Sequence, residues 1–185
     1  MAKKTAAKTQ LVIRRAKDVT EFLRHVKQIH RQFHEEGGRW EPWFRGQQKA
    51  KWPLKPKLYR HLDFKEVKKG TVEDEMREEF ILKAPILSET IPTGNQRRDE
   101  WEWYFIMQHF GMATRLLDWT EGALIALHFA VRHNEGEEDA AVWVLDPYKL
   151  NEEVIKKEWV LSPSATGVES DAYLNGIFPL LSALR

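Results

Sequence analysis

Cysteine is absent from the 185-residue sequence, which excludes disulfides, thiolate metal sites and a cysteine nucleophile. Long apolar runs are absent too: none reaches the roughly 20 residues that span a bilayer as a helix. The N-terminus, Met1-Ala2-Lys3-Lys4-Thr5-Ala6-Ala7-Lys8, is basic but leads into no apolar segment, so it is not a secretory signal. These absences place the chain in the cytoplasm, with no membrane partner expected. No internal repeat or low-complexity block interrupts it. The seven histidines (His25, His30, His34, His61, His109, His128 and His133) supply no zinc-ligand pair in a carboxylate frame, so no metal site is expected. His30 and His34 are four apart, but on a helix with a basic outer face.

Hydrophobic residues at 42% against 31% charged ones exclude wholesale disorder. The length suits one domain, or one domain with a short helical extension. A net charge of +1 conceals a strong asymmetry: residues 1–60 hold 16 Lys/Arg and 5 Asp/Glu, and residues 61–185 hold 13 and 23. Such a balance suits a basic surface that attracts an anionic partner, or two solvated faces that differ in sign.

Residues 1–17 read as a flexible basic N-terminus. Asp18, with Glu21 three positions on, opens a helix over 18–35 in the manner of a capping box. Val19, Phe22, Leu23, Val26, Ile29 and Phe33 give it one apolar stripe, Arg24, Lys27 and Arg31 occupy the other side, and Gly37-Gly38 ends it. A short strand follows over 40–47, with Pro42 at its start. The prolines of Trp52-Pro53-Leu54-Lys55-Pro56 make 52–60 an ordered loop. A helix is expected over 71–84, closed by Pro85, and a polar turn over 91–98. Asp99 is placed to cap a third helix over 100–109, apolar on nearly every side and stopped by Gly111. Further elements are a helix over 122–132, a strand over 140–145 stopped by Pro147, and a helix over 151–159. Helices broken by short strands predict an α+β fold: a single mixed domain of several helices on a small β-sheet, continuous or split, with an amphipathic helix before it.

Two segments carry more polar chemistry than packing needs. In Trp43-Phe44-Arg45-Gly46-Gln47, an arginine on a short strand can present a guanidinium fork to phosphate or carboxylate, and the glycine lets a ligand or a second strand approach the backbone. The alternative is an arginine paired with a buried carboxylate to fix the fold. The second segment, Gln108-His109-Phe110-Gly111-Met112-Ala113-Thr114-Arg115-Leu116-Leu117-Asp118-Trp119-Thr120, crowds polar side chains between two apolar helices, where they must find partners. Arg115 and Asp118 are spaced to pair with each other, leaving Arg45 for a ligand. His109 falls at a helix C-terminus, where the dipole favours a positive ring, and Asp118 or Thr120 can cap the next helix.

These segments, with Trp52-Pro53-Leu54, Leu58-Tyr59-Arg60, Ala126-Leu127-His128-Phe129-Ala130 and Ala141-Val142-Trp143-Val144-Leu145-Asp146-Pro147, resemble the FRG domain family over about 40–150. The resemblance implies a domain over 39–150, preceded by the helix over 18–38 and followed by an extension over 151–185. Two departures stand out. Ala113 replaces a proline usual in the family, and a later Arg-Ile and Gln-containing segment is missing, so the end is either truncated or diverged. The family is bacterial and phage-associated, which implies a defence or toxin role, often with no assigned activity.

A further partial resemblance is to arginine-type ADP-ribosyltransferases, through aromatic-Arg-Gly at Phe44-Arg45-Gly46 and through Thr120 ahead of Ala126-Leu127-His128-Phe129-Ala130. It implies NAD as cofactor, with arginine on its phosphates, a hydroxyl on its ribose and an aromatic face on the nicotinamide. The third motif's carboxylate has no diagnostic counterpart among Glu152, Glu153, Glu158 and Glu169. On this reading Arg45, His109 and Asp118 are candidate catalytic residues, and Phe44, Gly46, Gln47, Thr114, Arg115, Trp119 and Thr120 candidate ligand-binding residues for a nucleotide or other anionic ligand. The competing reading is a non-catalytic module that binds nucleic acid or protein, using Trp40, Trp43 and Trp52 among Arg39, Arg45, Lys49, Lys51 and Lys55.

Overall fold

In a computed structural model, which describes residues 11–35, 41–61, 71–87, 96–136, 138–156 and 160, Asp18 opens the first helix, α1 (Val19–Glu35). Its carboxylate accepts the Glu21 N–H at 2.8 Å, as the spacing predicts. The reciprocal leg falls one residue early: Glu21 accepts from the Lys17 N–H at 3.1 Å. The preceding stretch is tied along the helix by Arg14, whose guanidinium donates to Gln28 and Gln32 at 2.8 and 3.0 Å. Arg24, Lys27 and Arg31 are exposed, while Phe22, Val26, Ile29 and Phe33 are half-buried and no residue of the helix is fully buried. The Gly37-Gly38 stop lies outside the described residues. These elements belong to the first of two compact units, Met1–Pro42 and Trp43–Arg185.

The second unit is built on β1 (Trp43–Gln47) and β2 (Ala141–Leu145), an antiparallel pair in the register Trp43–Leu145, Arg45–Trp143, Gln47–Ala141. A single bridge extends the sheet on the other edge of β1: the Phe44 N–H donates to Thr120 O at 2.7 Å and the Thr120 N–H to Phe44 O at 2.9 Å. Between the strands lie α2 (Leu58–His61), α3 (Thr71–Leu87), α4 (Gln96–His109) and α5 (Ala123–Val131), and α6 (Pro147–Ile155) follows β2. The fold is mixed α+β, six helices and a small two-stranded sheet among the described residues.

Two packings hold it. Phe80 and Ala84 of α3 meet Trp103 and Met107 of α4, with the Phe80 and Trp103 rings edge-on at 6.2 Å. On the sheet, α5 crosses β1 through its buried Ala126 and Ala130. A Cβ built on Gly46 would fall on Ala126 O and within 2.6 Å of the Ala130 amide nitrogen. Only glycine lets helix and strand approach this closely. The opposite side of α5 leaves Leu124, Ile125, Phe129 and Val131 exposed.

Several boundaries differ from expectation, each for a local reason. The loop over 52–60 ends in the turn of α2, because Pro56 stands just ahead of residues that helicise well. α3 continues past Pro85 to Leu87: a proline this near a C-terminus sacrifices one ladder bond and the helix stops two residues on. α4 starts at Gln96, so Asp99 is in its first turn rather than at its cap, and Gln96-Arg97-Arg98 are themselves good helix formers. α4 ends at His109, and Gly111 just past it, with a φ of 77°, lets Met112 N–H reach Met107 O at 3.0 Å. The helix expected over 151–159 begins at Pro147, because Asp146 caps it, accepting from Tyr148 and Lys149 N–H at 3.0 and 2.9 Å. No described helix is long and apolar enough to cross a membrane.

Candidate functional site

Alternation along β1 sets which side chains can form a site. Phe44 and Gly46 face α5, so Trp43, Arg45 and Gln47 share the other face with their partners Leu145, Trp143 and Ala141. Phe44 is fully buried. Thr120 is bridged to Phe44, and its hydroxyl accepts the Gly122 N–H at 3.1 Å. Trp43, Leu117, Trp119, Thr120 and Glu121 border a hollow of about 290 Å³.

Arg45 holds the two sequence segments together. Its Nη1 donates to the backbone carbonyl of Asp118 at 2.7 Å, not to a buried carboxylate. Burial draws the guanidinium below its ordinary pKa, the Asp118 charge opposes this, and the Arg60 charge adds to it. Arg45 Nε is buried with no hydrogen-bond partner among the described residues, and so is Nε1 of Trp143, its cross-strand neighbour on the same face. Orphaned buried N–H donors are costly and rare.

The Asp118 carboxylate is held from behind. It accepts from Gln108 Nε2 at 2.9 Å, and Gln108 in turn accepts from the hydroxyl of the fully buried Thr114. Thr114 also takes Leu116 N–H at 3.3 Å and gives its carbonyl to Leu58 N–H at 3.3 Å. It therefore acts as a buried junction between α2, the end of α4 and the Asp118 turn.

The pairing of Arg115 with Asp118 is not formed. Arg115 turns instead to Glu73 of α3, whose side chain is 1% exposed. One Glu73 oxygen accepts the Arg115 backbone N–H at 3.0 Å and the other accepts its guanidinium. The buried carboxylate needs the charge, whereas the exposed Asp118 does not. Tyr104 lies under the Arg115 guanidinium at 5.5 Å. Burial pulls the Arg115 pKa down, but the bond to Glu73 and its charge outweigh that, and the net direction is up.

Of the remaining sequence candidates, Gln47 is buried and spends its amide on the Lys49 and Trp52 carbonyls at 3.3 and 2.6 Å. His109 is exposed, its ring edge-on to Phe110 at 5.5 Å. Lys49 and Lys51 both pair with Glu138. Among the described residues no cluster of three metal-ligating side chains occurs.

Sequence reasoning missed Glu73, Gln108, Arg60 and Trp143. For Glu73 a signal existed: Met76, Phe80 and Ala84 place it on the buried line of α3, at the spacing of a helix face. Gln108 and Arg60 carried no such mark. A search of curated proteins and a search of solved structures found no match to the chain. The model of the FRG domain matches residues 41–139, which span both segments and more than half of the sequence, and the chain therefore belongs to the FRG domain family.

Proposed function

We propose that this FRG domain binds a phosphate-bearing ligand of nucleotide class through Arg45. The observation that carries the reading is a pair of buried donors without a partner among the described residues, Arg45 Nε and Trp143 Nε1, carried by cross-strand neighbours on one face of the sheet. Two such donors call for an acceptor oxygen, and a guanidinium already anchored at Nη1 keeps its fork fixed for one. Arg60 adds positive charge to the same surroundings. Asp118 serves as the carbonyl that fixes Arg45, and Gln108 fixes Asp118.

The finer reading, an ADP-ribosyltransferase-like enzyme using NAD, draws on Arg45 but not on Thr120, whose hydroxyl is engaged with Gly122 N–H. The nucleic-acid module loses two of its cations to Glu138. Ligand binding at Arg45 is the function the geometry supports best.

The test is calorimetric titration of the full chain with ribose 5-phosphate, AMP and NAD. Arg45→Lys keeps the charge and loses the fork, and should weaken binding at least about tenfold while leaving the thermal midpoint close to that of the parent. Equal binding by the variant refutes the assignment, and an unfolded variant makes Arg45 architectural. Release of nicotinamide from NAD, abolished by the same variant, would support the enzymatic reading.

A further inference from the structure

The hollow bordered by Trp43, Leu117, Trp119, Thr120 and Glu121 is separate from Arg45 but adjoins it. Trp43 and Arg45 are two residues apart on one face of β1, a rise of about 6.6 Å. At about 290 Å³ it falls just below the range of drug-sized ligand pockets, about 300 to 1,000 Å³. That room suits one ring system and not a whole nucleotide. Two indoles in its wall favour a flat aromatic occupant over a sugar or an aliphatic chain, because every base offers a π-face for stacking.

The charges give the pair of sites a direction. Glu121 borders the hollow and is exposed, and its charge reaches Tyr148: burial raises the Tyr148 pKa, and the charges of Glu121 and Asp146 add to this. A bare phosphate is repelled there. Arg45 and Arg60 supply positive charge at the other end. The complementary ligand is therefore anionic at one end and carries a neutral, hydrogen-bond-donating ring at the other.

Resting on the anion-binding reading of Arg45, we propose that the hollow seats the amino-bearing base of a nucleoside monophosphate, with Trp43 and Trp119 against the ring and Glu121 accepting from the exocyclic amine. Glu121 then selects among bases. An amine donates to a carboxylate, whereas a ring carbonyl in the same place presents an unpaired acceptor to it. Adenine and cytosine are accepted over hypoxanthine and uracil.

The experiment titrates the full chain with AMP, IMP and ribose 5-phosphate by calorimetry. AMP should bind at least about tenfold more tightly than ribose 5-phosphate, the contribution of a stacked base, and at least about tenfold more tightly than IMP. Glu121 is exposed, so Glu121→Gln should fold normally. An amide both donates and accepts, and this variant should bring IMP to within a few-fold of AMP. Equal affinity for AMP and ribose 5-phosphate overturns the base site and leaves the Arg45 reading standing. Binding of IMP as tight as that of AMP in the parent chain overturns the role of Glu121. Absence of binding by all three overturns both readings together.

Discussion

Gly46 and Ala126 are in such close contact that the strand and helix they belong to touch backbone to backbone: a Cβ on Gly46 would fall on the Ala126 carbonyl oxygen. Neither partner can yield, because Phe44 beside the glycine is fully buried and bonded to Thr120, and Ala126 and Ala130 are buried on the helix side. The glycine of the Phe-Arg-Gly run is thus used by the fold, while the guanidinium of Arg45 beside it is anchored by the Asp118 carbonyl.

Gly46→Ala should accordingly destabilise the domain by about 3 kcal/mol, the upper range for overpacking against atoms that cannot move. Urea unfolding followed by tryptophan fluorescence checks this. An unchanged midpoint would show that α5 can shift away from β1 at little expense.

The Glu73–Arg115 pair should dominate the polar contribution to stability. Glu73→Ala leaves a largely buried guanidinium without its carboxylate, and loss of one partner of a buried pair costs about 3–5 kcal/mol. Asp118→Asn, at an exposed residue bonded through Gln108, should change stability by about 1 kcal/mol or less. Thermal unfolding of the two variants in parallel tests the assignment. Equal losses would mean that Asp118 supports Arg115 after all.

Tyr59 and Tyr104 predict an alkaline limit. Burial raises both phenols above their ordinary pKa. At Tyr59 the Arg115 charge opposes this while Glu73 and Tyr104 add to it, and at Tyr104 Glu73 adds and Arg115 opposes. In the unfolded chain they ionise near pH 10. Above about pH 10 the unfolded state releases protons that the native state retains, so stability declines as pH rises, and it is fully present below that value. Urea midpoints across this range should fall, and Tyr59→Phe should reduce the slope. A slope unchanged by Tyr59→Phe and Tyr104→Phe together would place its origin elsewhere.

Asp146→Ala should cost about 1 kcal/mol by removing the acceptor for two amide donors at the start of α6, while Asp146→Asn should be nearly neutral. Differential scanning calorimetry resolves the two. An equal loss in both would mean that charge, not capping, is what Asp146 supplies.

What could be read from the sequence follows the range of the forces. α1, α5 and β2 were legible because their patterns are complete within a few residues: the Asp18–Glu21 spacing, the alanines of α5, the short continuous apolar run of β2. Boundaries at Pro85 and Pro147 were misjudged because a proline near a helix end acts on one bond only, and its neighbours decide the outcome. In the candidate site, the convergence of the Arg45 and Asp118 segments was legible from their shared excess of polar groups. The partner of Arg115 was not, because Glu73 stands in an acid-rich helix and only its register with Phe80 and Ala84 distinguishes it from Asp74 or Glu75. The pairing of Thr120 with Phe44 depends on strand register, which no local pattern encodes.

The pairing of β1 with β2 also bears on how the chain reaches this state. Phe44 meets Val144 a hundred residues later, so the central ladder closes a very long loop and gains nothing until that loop is in place. During synthesis β1 emerges early and waits for its neighbour through the whole of α2 to α5. The family match ends at residue 139, two residues short of β2, and a chain cut there would keep Arg45 but lose Trp143 and leave one edge of β1 open. Such a fragment should associate with itself through that edge, so the folding unit extends past the family boundary at least to Leu145.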